Sequence, residues 1–275
     1  MEYKLGVNAG AYIKSKVDEN LYSIANAGFD AFFTGWKTYY PIAKWADIAS
    51  KKGLIYQSIH APFDKVDKIW YGGDSGIEYV EYLKKCVDAC KDVAVPLMIV
   101  HPFIGFNEHE PTDIGLELYS RLIDHADKKN ISIAFENVEG EEYLAALMQK
   151  YRDAPCVGFC WDTGHEQCYN AGKDMVSLYG DKLFGTHFND NNGCLDLSDV
   201  TWKDDLHLLP FDGKIDWQGV MNRIRRHGFD GILTFELTTS PKPDRDTSLH
   251  DSYAAMSGEE FYREAYNRAK RVAAL

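Results

Sequence analysis

No stretch of this 275-residue chain approaches the roughly 20 consecutive apolar residues that a membrane-spanning helix needs, so no membrane partner is expected. Basic residues are scarce as well. The 30 Lys and Arg stand against 42 Asp and Glu, a formal charge of −12, which argues against non-specific attraction to nucleic acid or an anionic surface. The six cysteines, at positions 86, 90, 156, 160, 168 and 194, include no C-x-x-C pair. They read as core thiols in a reducing compartment, and hence as a cytoplasmic chain. The opening residues run straight into strand-like sequence with no basic start and no small-residue cleavage site, so no secretory leader is expected. Linkers and low-complexity tracts are also missing.

What the chain has is alternation. Eight short apolar runs, at residues 5–9, 31–34, 55–60, 97–101, 131–136, 157–162, 184–187 and 232–236, are separated by segments of helical period such as 77–95, 114–129, 141–152, 217–226 and 259–274. Gly28 and Gly228 each precede a Phe-Asp at a helix stop, where glycine takes the left-handed cap. Repeated βα units imply a parallel sheet, and eight of them across residues 1–275 predict an α/β fold, a (β/α)8 TIM barrel as a single domain. Three long connections, 63–76, 189–214 and 238–258, follow strands, on the side where barrel enzymes build their sites. The middle one carries Asp190, Asp196, Asp199, Asp204, Asp205 and Asp212 against Lys203 and Lys214, an acidic rim expected to repel a polyphosphate.

Chemistry gathers at the strand ends. The last six runs terminate in or beside His60, His101, Glu136, Asp162, His187 and Glu236. Taken alone, Asp162 in Trp161-Asp162-Thr163-Gly164-His165 reads equally well as a helix N-cap, and His165 as an imidazole bonded to a backbone carbonyl. The succession of six is what favours a site. In a closed barrel strands five to eight are neighbours, so Glu136, Asp162, His187 and Glu236 converge. Three carboxylates at one point repel each other unless a cation lies among them. Their oxygen-rich donor set favours Mn²⁺, Mg²⁺ or Co²⁺, with Zn²⁺ also admissible.

These motifs, in this order along the whole chain, resemble the xylose isomerase-like TIM barrel superfamily, which holds sugar and sugar-phosphate isomerases and epimerases and also endonuclease IV. The resemblance implies a metal site at Glu136, Asp162, His187 and Glu236, with Glu136 and Glu236 doubling as the proton-transferring pair. It also implies substrate contacts from His165 and Glu142, and an isomerase or epimerase reaction in which a proton leaves a carbon next to a carbonyl through a metal-bound enediolate. His60, His101 and His207 would bind hydroxyls or orient ligands, and Trp36, near a strand end, reads either as a stacking surface for a sugar ring or as core packing. One departure is plain: several epimerases carry an arginine six residues after the histidine ligand, where this chain has Gly193.

Asp205-Leu206-His207 falls where endonuclease IV has an Asp-x-His pair. With His60, His101, His165, Asp205 and His207 as further metal ligands, every ligand type of that enzyme's three-zinc site has a counterpart. The alternatives are therefore a multi-zinc phosphodiesterase, or a polyol or keto-acid dehydratase on the same parts. The acidic loop and the lack of clustered Arg and Lys favour sugar chemistry. A small sugar or sugar derivative is the expected partner, and barrels of this kind often dimerise across their loop faces, which admits a homodimer. Phe63, Trp70, Phe103 and Trp161 also lie near strand ends, with core packing the simpler reading for Trp161. His109, His125, His227 and His250 are expected at the surface. Trp217, Val220, Met221 and Ile224 share one helical face and belong to the core, and Asp216 caps that helix.

Overall fold

The computed structural model describes residues 2–107, 110–194 and 198–275; His109 and Asp196 lie outside them. Eight parallel strands form the barrel: β1 (Leu5–Asn8), β2 (Ala31–Gly35), β3 (Ile55–His60), β4 (Leu97–Val100), β5 (Ser132–Glu136), β6 (Val157–Asp162), β7 (Leu183–His187) and β8 (Leu233–Phe235). Each pairs with its sequence neighbour, and β1 pairs with β8. At the remaining seam Phe188 bridges Phe235, where the Phe188 amide donates to the Thr234 carbonyl at 2.8 Å and the Glu236 amide donates back to Phe188 at 3.0 Å. The nearly closed barrel is the expected (β/α)8 fold, with strand boundaries displaced by a residue or two. Glu236 and His101 sit one residue past their strands.

The strands read as continuous apolar runs because both faces are covered; all six residues of β6 and all four of β4 are buried. Inside the barrel Leu97, Ile99, Ala134 and Cys160 form a small plug beneath the strand ends. Outside it, helix faces pack on the strands. On the helix Trp217–Arg226 the four residues Trp217, Val220, Met221 and Ile224 are buried as expected, each contributing about 1.5–3 kcal/mol of apolar burial. Asp216 caps that helix by accepting from the Gly219 amide at 3.0 Å. Gly28 and Gly228 have φ of 108° and 64°, the left-handed caps the sequence calls for.

None of the three long connections is structureless, and 189–214 holds the short 3-10 helix Trp202–Asp204. Residues 63–76 hold the helix Lys68–Tyr71 and the start of Gly73–Asp92, and residues 238–258 hold Ser248–Ala255. Both segments are short or mixed in period, so periodicity does not reveal them. Nor do the described residues of 189–214 form an acidic rim. Asp190 is wholly buried, Asp204 pairs with Arg245 at 2.6 Å, Asp212 with Arg268 at 2.6 Å and Asp205 with His207 at 2.7 Å, while Asp199 is exposed. Partners distant in sequence neutralise charges that looked free in a local count. His250 is also inside and not at the surface, donating from Nε2 to the Leu206 carbonyl at 2.8 Å. Cys156 and Cys194 are only half-buried, unlike the other four cysteines. Among the described residues no helix is long and apolar enough to cross a membrane.

Asp190 organises the longest loop. Its carboxylate accepts from the amides of Asn191, Phe211 and Ile215 at 2.9, 2.7 and 3.1 Å and from Trp217 Nε1 at 2.9 Å. Asp190→Ala strands these buried donors at roughly 1–3 kcal/mol each before relaxation. The expected net loss is about 3–5 kcal/mol in urea unfolding, and a loss under about 1 kcal/mol would refute this role.

Candidate metal centre

The register of the barrel brings the strand ends together: Asp162 pairs with His187 and Glu136 with Cys160 across adjacent strands. Glu136, fully buried, lies at the middle. Its Oε1 is 2.9 Å from His187 Nδ1 and 3.6 Å from His165 Nδ1, while its Oε2 is 3.3 Å from His60 Nε2 and 3.4 Å from His101 Nε2. His187 Nδ1 also lies 3.1 Å from Glu236 Oε2. A few ångströms away, Asp205 stands between His207 Nε2 at 2.7 Å and His165 Nε2 at 3.6 Å.

Three of the imidazoles are aimed by the backbone. The carbonyls of Ala61, Asn137 and Glu236 accept the Nδ1 protons of His60, His165 and His207 at 2.8, 3.0 and 3.0 Å, which turns each Nε2 into the cluster. Asp162 does cap the helix Thr163–Cys168, accepting from the His165 amide at 2.7 Å, and its other oxygen accepts from Asn189 Nδ2 at 2.9 Å. A carboxylate has about four lone-pair directions, so capping leaves room for a ligand role. The cap and the site are the same residue.

The donors fit a cation. One ligand atom each from Glu136, Asp162, His187 and Glu236 lie within 4.8 Å of one another, and the same holds for His60, His101 and Glu136 and for His165, Asp205 and His207. Glu136 Oε2 and Asp205 Oδ1 are buried acceptors that make no hydrogen bond, an expense normally avoided unless another partner is intended. Burial pushes Asp162 up to about 6 against the pull of His165 and His207. Burial would also raise Glu236, but His187 beside it outweighs this and holds the carboxyl at about 2. His101 is driven down to about 4 by burial and stays neutral, whereas Asp205 overcomes burial and lifts His207 to about 9. Buried carboxylates and protonated imidazoles thus balance one another until a metal replaces the protons.

A family model described as xylose isomerase-like TIM barrel matches residues 21–257. The chain belongs to that family. It is 33% identical over 171 residues to the uncharacterized protein y4fM of Sinorhizobium fredii, a match covering 57% of this chain and about half, 52%, of that protein. Among solved structures it resembles the IOLI protein with a bound zinc atom, at TM-score 0.77 and 16% identity over 98% of each chain. It also resembles D-psicose 3-epimerase of Clostridium cellulolyticum H10 with D-tagatose, at TM-score 0.73 and 12% identity over 98% of each chain. At these identities the likeness is one of fold.

Within this xylose isomerase-like barrel the cluster opens into a cavity of about 530 Å³ whose lining includes His60, His101, His165, His207 and Glu236. Glu142 does not join it. Gly140, at φ 72°, turns the chain outward after β5, leaving Glu142 exposed on the first turn of Glu141–Lys150. Glu139 lines the cavity instead, its carboxylate accepting from the Gly105 amide at 2.8 Å and its pKa raised by burial. Trp36 lines a neighbouring cleft and not this cavity, and Trp70, Phe103 and Trp161 are core residues. Phe63 does reach the site, 40% exposed and stacked on His101 at 4.3 Å.

Sequence reading missed three further contributors. Lys242, after β8, brings its ammonium to 3.5 Å from Asp205 Oδ2 and lines the same cavity. Asn137 clamps Asp162, its side chain accepting from the Asp162 amide and donating to the Asp162 carbonyl, both at 2.8 Å. Asn189 holds the Asp162 carboxylate, and only glycine at 164 leaves space for it, since a Cβ there would run into the Asn189 amide. Both asparagines follow a strand-end residue closely, in Glu136-Asn137 and His187-Phe188-Asn189, which was the available signal. Gly164→Ala is expected to displace Asn189 and weaken metal binding about 10- to 100-fold, by metal titration of the folded variant.

Proposed function

We propose that the protein is a divalent-metal-dependent sugar isomerase or epimerase that moves a proton on a carbon next to a carbonyl. The observation that carries this reading is that Glu136 and Glu236 both lie close to His187 Nδ1, at 2.9 and 3.1 Å, with Glu236 lining a cavity of about 530 Å³. Glu136, Asp162, His187 and Glu236 would hold a divalent cation, which when bound would supply Lewis-acid polarisation of the substrate carbonyl. Glu236 lines the cavity with its side chain 20% exposed, while Glu136 is wholly buried. Glu236 is therefore the base that meets the carbon first, and Glu136 serves as its partner and as the common anchor of the imidazoles. His165, His207 and Lys242 bind substrate hydroxyls, and Phe63 stacking on His101 restricts water. A panel of ketoses incubated with metal-loaded protein in deuterated water should take up label at one carbon. Label uptake accompanied by loss of water would make it a dehydratase, and silence across the panel would sink the proposal.

A second reading, a multi-zinc phosphodiesterase, is favoured by one observation: His60, His101 and Glu136, and separately His165, Asp205 and His207, each form a ligand group beside the four-residue one. Three tightly held zinc ions and cutting of abasic-site DNA would establish it over the sugar enzyme.

Metal uptake should release protons. Burial lowers all three, but Asp162 and Asp205 outweigh it and hold His165 well above the usual range, Cys160 together with Glu136 and Glu236 does the same for His187, and Asp205 lifts His207 to about 9. In the metal-free protein His165, His187 and His207 thus hold their protons more tightly than free imidazoles, and ligation displaces about one proton from each of these histidines used. Affinity should thus rise with pH through and above neutrality. Calorimetry in buffers of different ionisation enthalpy measures this, and identical heats in all buffers would contradict it.

A further inference from the structure

Beside the metal cavity lies a larger cleft of about 930 Å³, built by the residues after β2 and β3. The two adjoin, sharing His60 and Phe63 as lining, and Phe63 is 40% exposed at the boundary. Aromatic rings make its walls. Trp36 packs on Tyr82 at 5.3 Å between centroids, Tyr39 stands edge-on to Tyr40 at 5.2 Å, and Tyr79 lies 6.0 Å from Tyr82. Trp36 and Tyr79 are nearly buried, but Tyr39 is 73% and Phe63 40% exposed. Rings left in water around a cavity mark a binding groove more often than packing.

The polar rim carries both signs. Lys37, Lys65 and Lys68 face Asp64 and Glu78, and Lys68 is already paired with Asp67 at 2.9 Å. The groove is therefore close to neutral and unsuited to a compact anion. It suits a ligand with an apolar face and a hydroxylated edge, which describes a pyranose ring: its C–H face packs on an aromatic wall while its hydroxyls reach the charged rim.

We propose that this cleft holds a second sugar ring, so that the substrate is a ketose bearing a glycosyl group on a hydroxyl away from its carbonyl. This rests on the sugar reading of the metal centre, because the ketose end must reach Glu236 while the glycosyl group passes His60 and Phe63. The adjacency of the two cavities across His60 and the exposed Phe63 selects this occupant over an unrelated ligand.

The test compares isomaltulose, a glucosyl-fructose with a free ketose carbonyl, with fructose. Metal-loaded protein should exchange the proton of isomaltulose with kcat/KM about tenfold or more above that for fructose. Tyr39→Ala, which removes an exposed ring, should reduce that ratio about three- to tenfold, and calorimetric binding of isomaltulose should weaken alongside. Equal handling of both sugars, with no effect of Tyr39→Ala, overturns the second-ring site while leaving the proposed reaction standing. Binding of isomaltulose that depends on Tyr39 without any exchange upholds the site and removes the reaction. Binding of neither sugar, or a dimer that Tyr39→Ala converts to monomer with sugar binding unchanged, overturns the site.

Discussion

Glu136→Gln is expected to weaken divalent-metal binding at least about 100-fold and to lower the proton-exchange rate by roughly 10³- to 10⁴-fold, with the barrel still folded. The size of the effect follows from position. One oxygen of Glu136 faces His187 and His165 and the other faces His60 and His101, so a single neutral amide withdraws an anion from two neighbouring ligand groups at once. It also removes one member of the carboxylate pair. The fold should survive because the shape is kept and because the facing imidazoles can shed their protons, so no unpaired buried cation is left behind. Metal analysis, exchange kinetics and thermal unfolding measured on the same sample separate these effects. A variant that keeps its metal and its rate would show that the cluster is not organised around Glu136.

The barrel and the convergence of four strand-end residues were legible because both are written locally. A strand buried on two faces must be apolar, and a polar residue ending such a strand has only the barrel mouth to face; Glu136, Asp162, His187 and Glu236 all conform. What was not legible depends on chain direction after the strand or on distant partners. Glu142 was placed by the family resemblance, and the left-handed Gly140 sends it outward and leaves Glu139 facing the cavity. The acids of 189–214 looked like a rim because Arg245 and Arg268, which neutralise two of them, lie far along the chain. The same distance hid Lys242 and the burial of His250. With that acidic rim gone, the charge argument against a phosphodiester substrate weakens, and metal stoichiometry becomes the sharper discriminator between the two readings.

Stripping divalent ions with a chelator should abolish proton exchange and lower Tm by roughly 10 °C, and adding metal back should restore both. A cation present at about 1,000 times its Kd stabilises the native state by about 4 kcal/mol, which is roughly 10 °C for a chain of this size. The metal-free barrel does not collapse, because protonated His187 lies within 2.9 and 3.1 Å of Glu136 and Glu236 and offsets part of the carboxylate repulsion. For the same reason the Tm difference should shrink as pH falls. Protons compete for the imidazoles, and below about 6 also for Asp162, so the metal-loaded and metal-free curves converge in acid. The back-titration then counts ions. If one equivalent of Mn²⁺ restores the full rate and most of the Tm, the Glu136, Asp162, His187 and Glu236 group acts alone, as a sugar isomerase requires. Recovery that waits for about three equivalents of zinc means that the groups around His60 and Asp205 are ligand sites too, and the substrate is then to be sought among phosphodiesters.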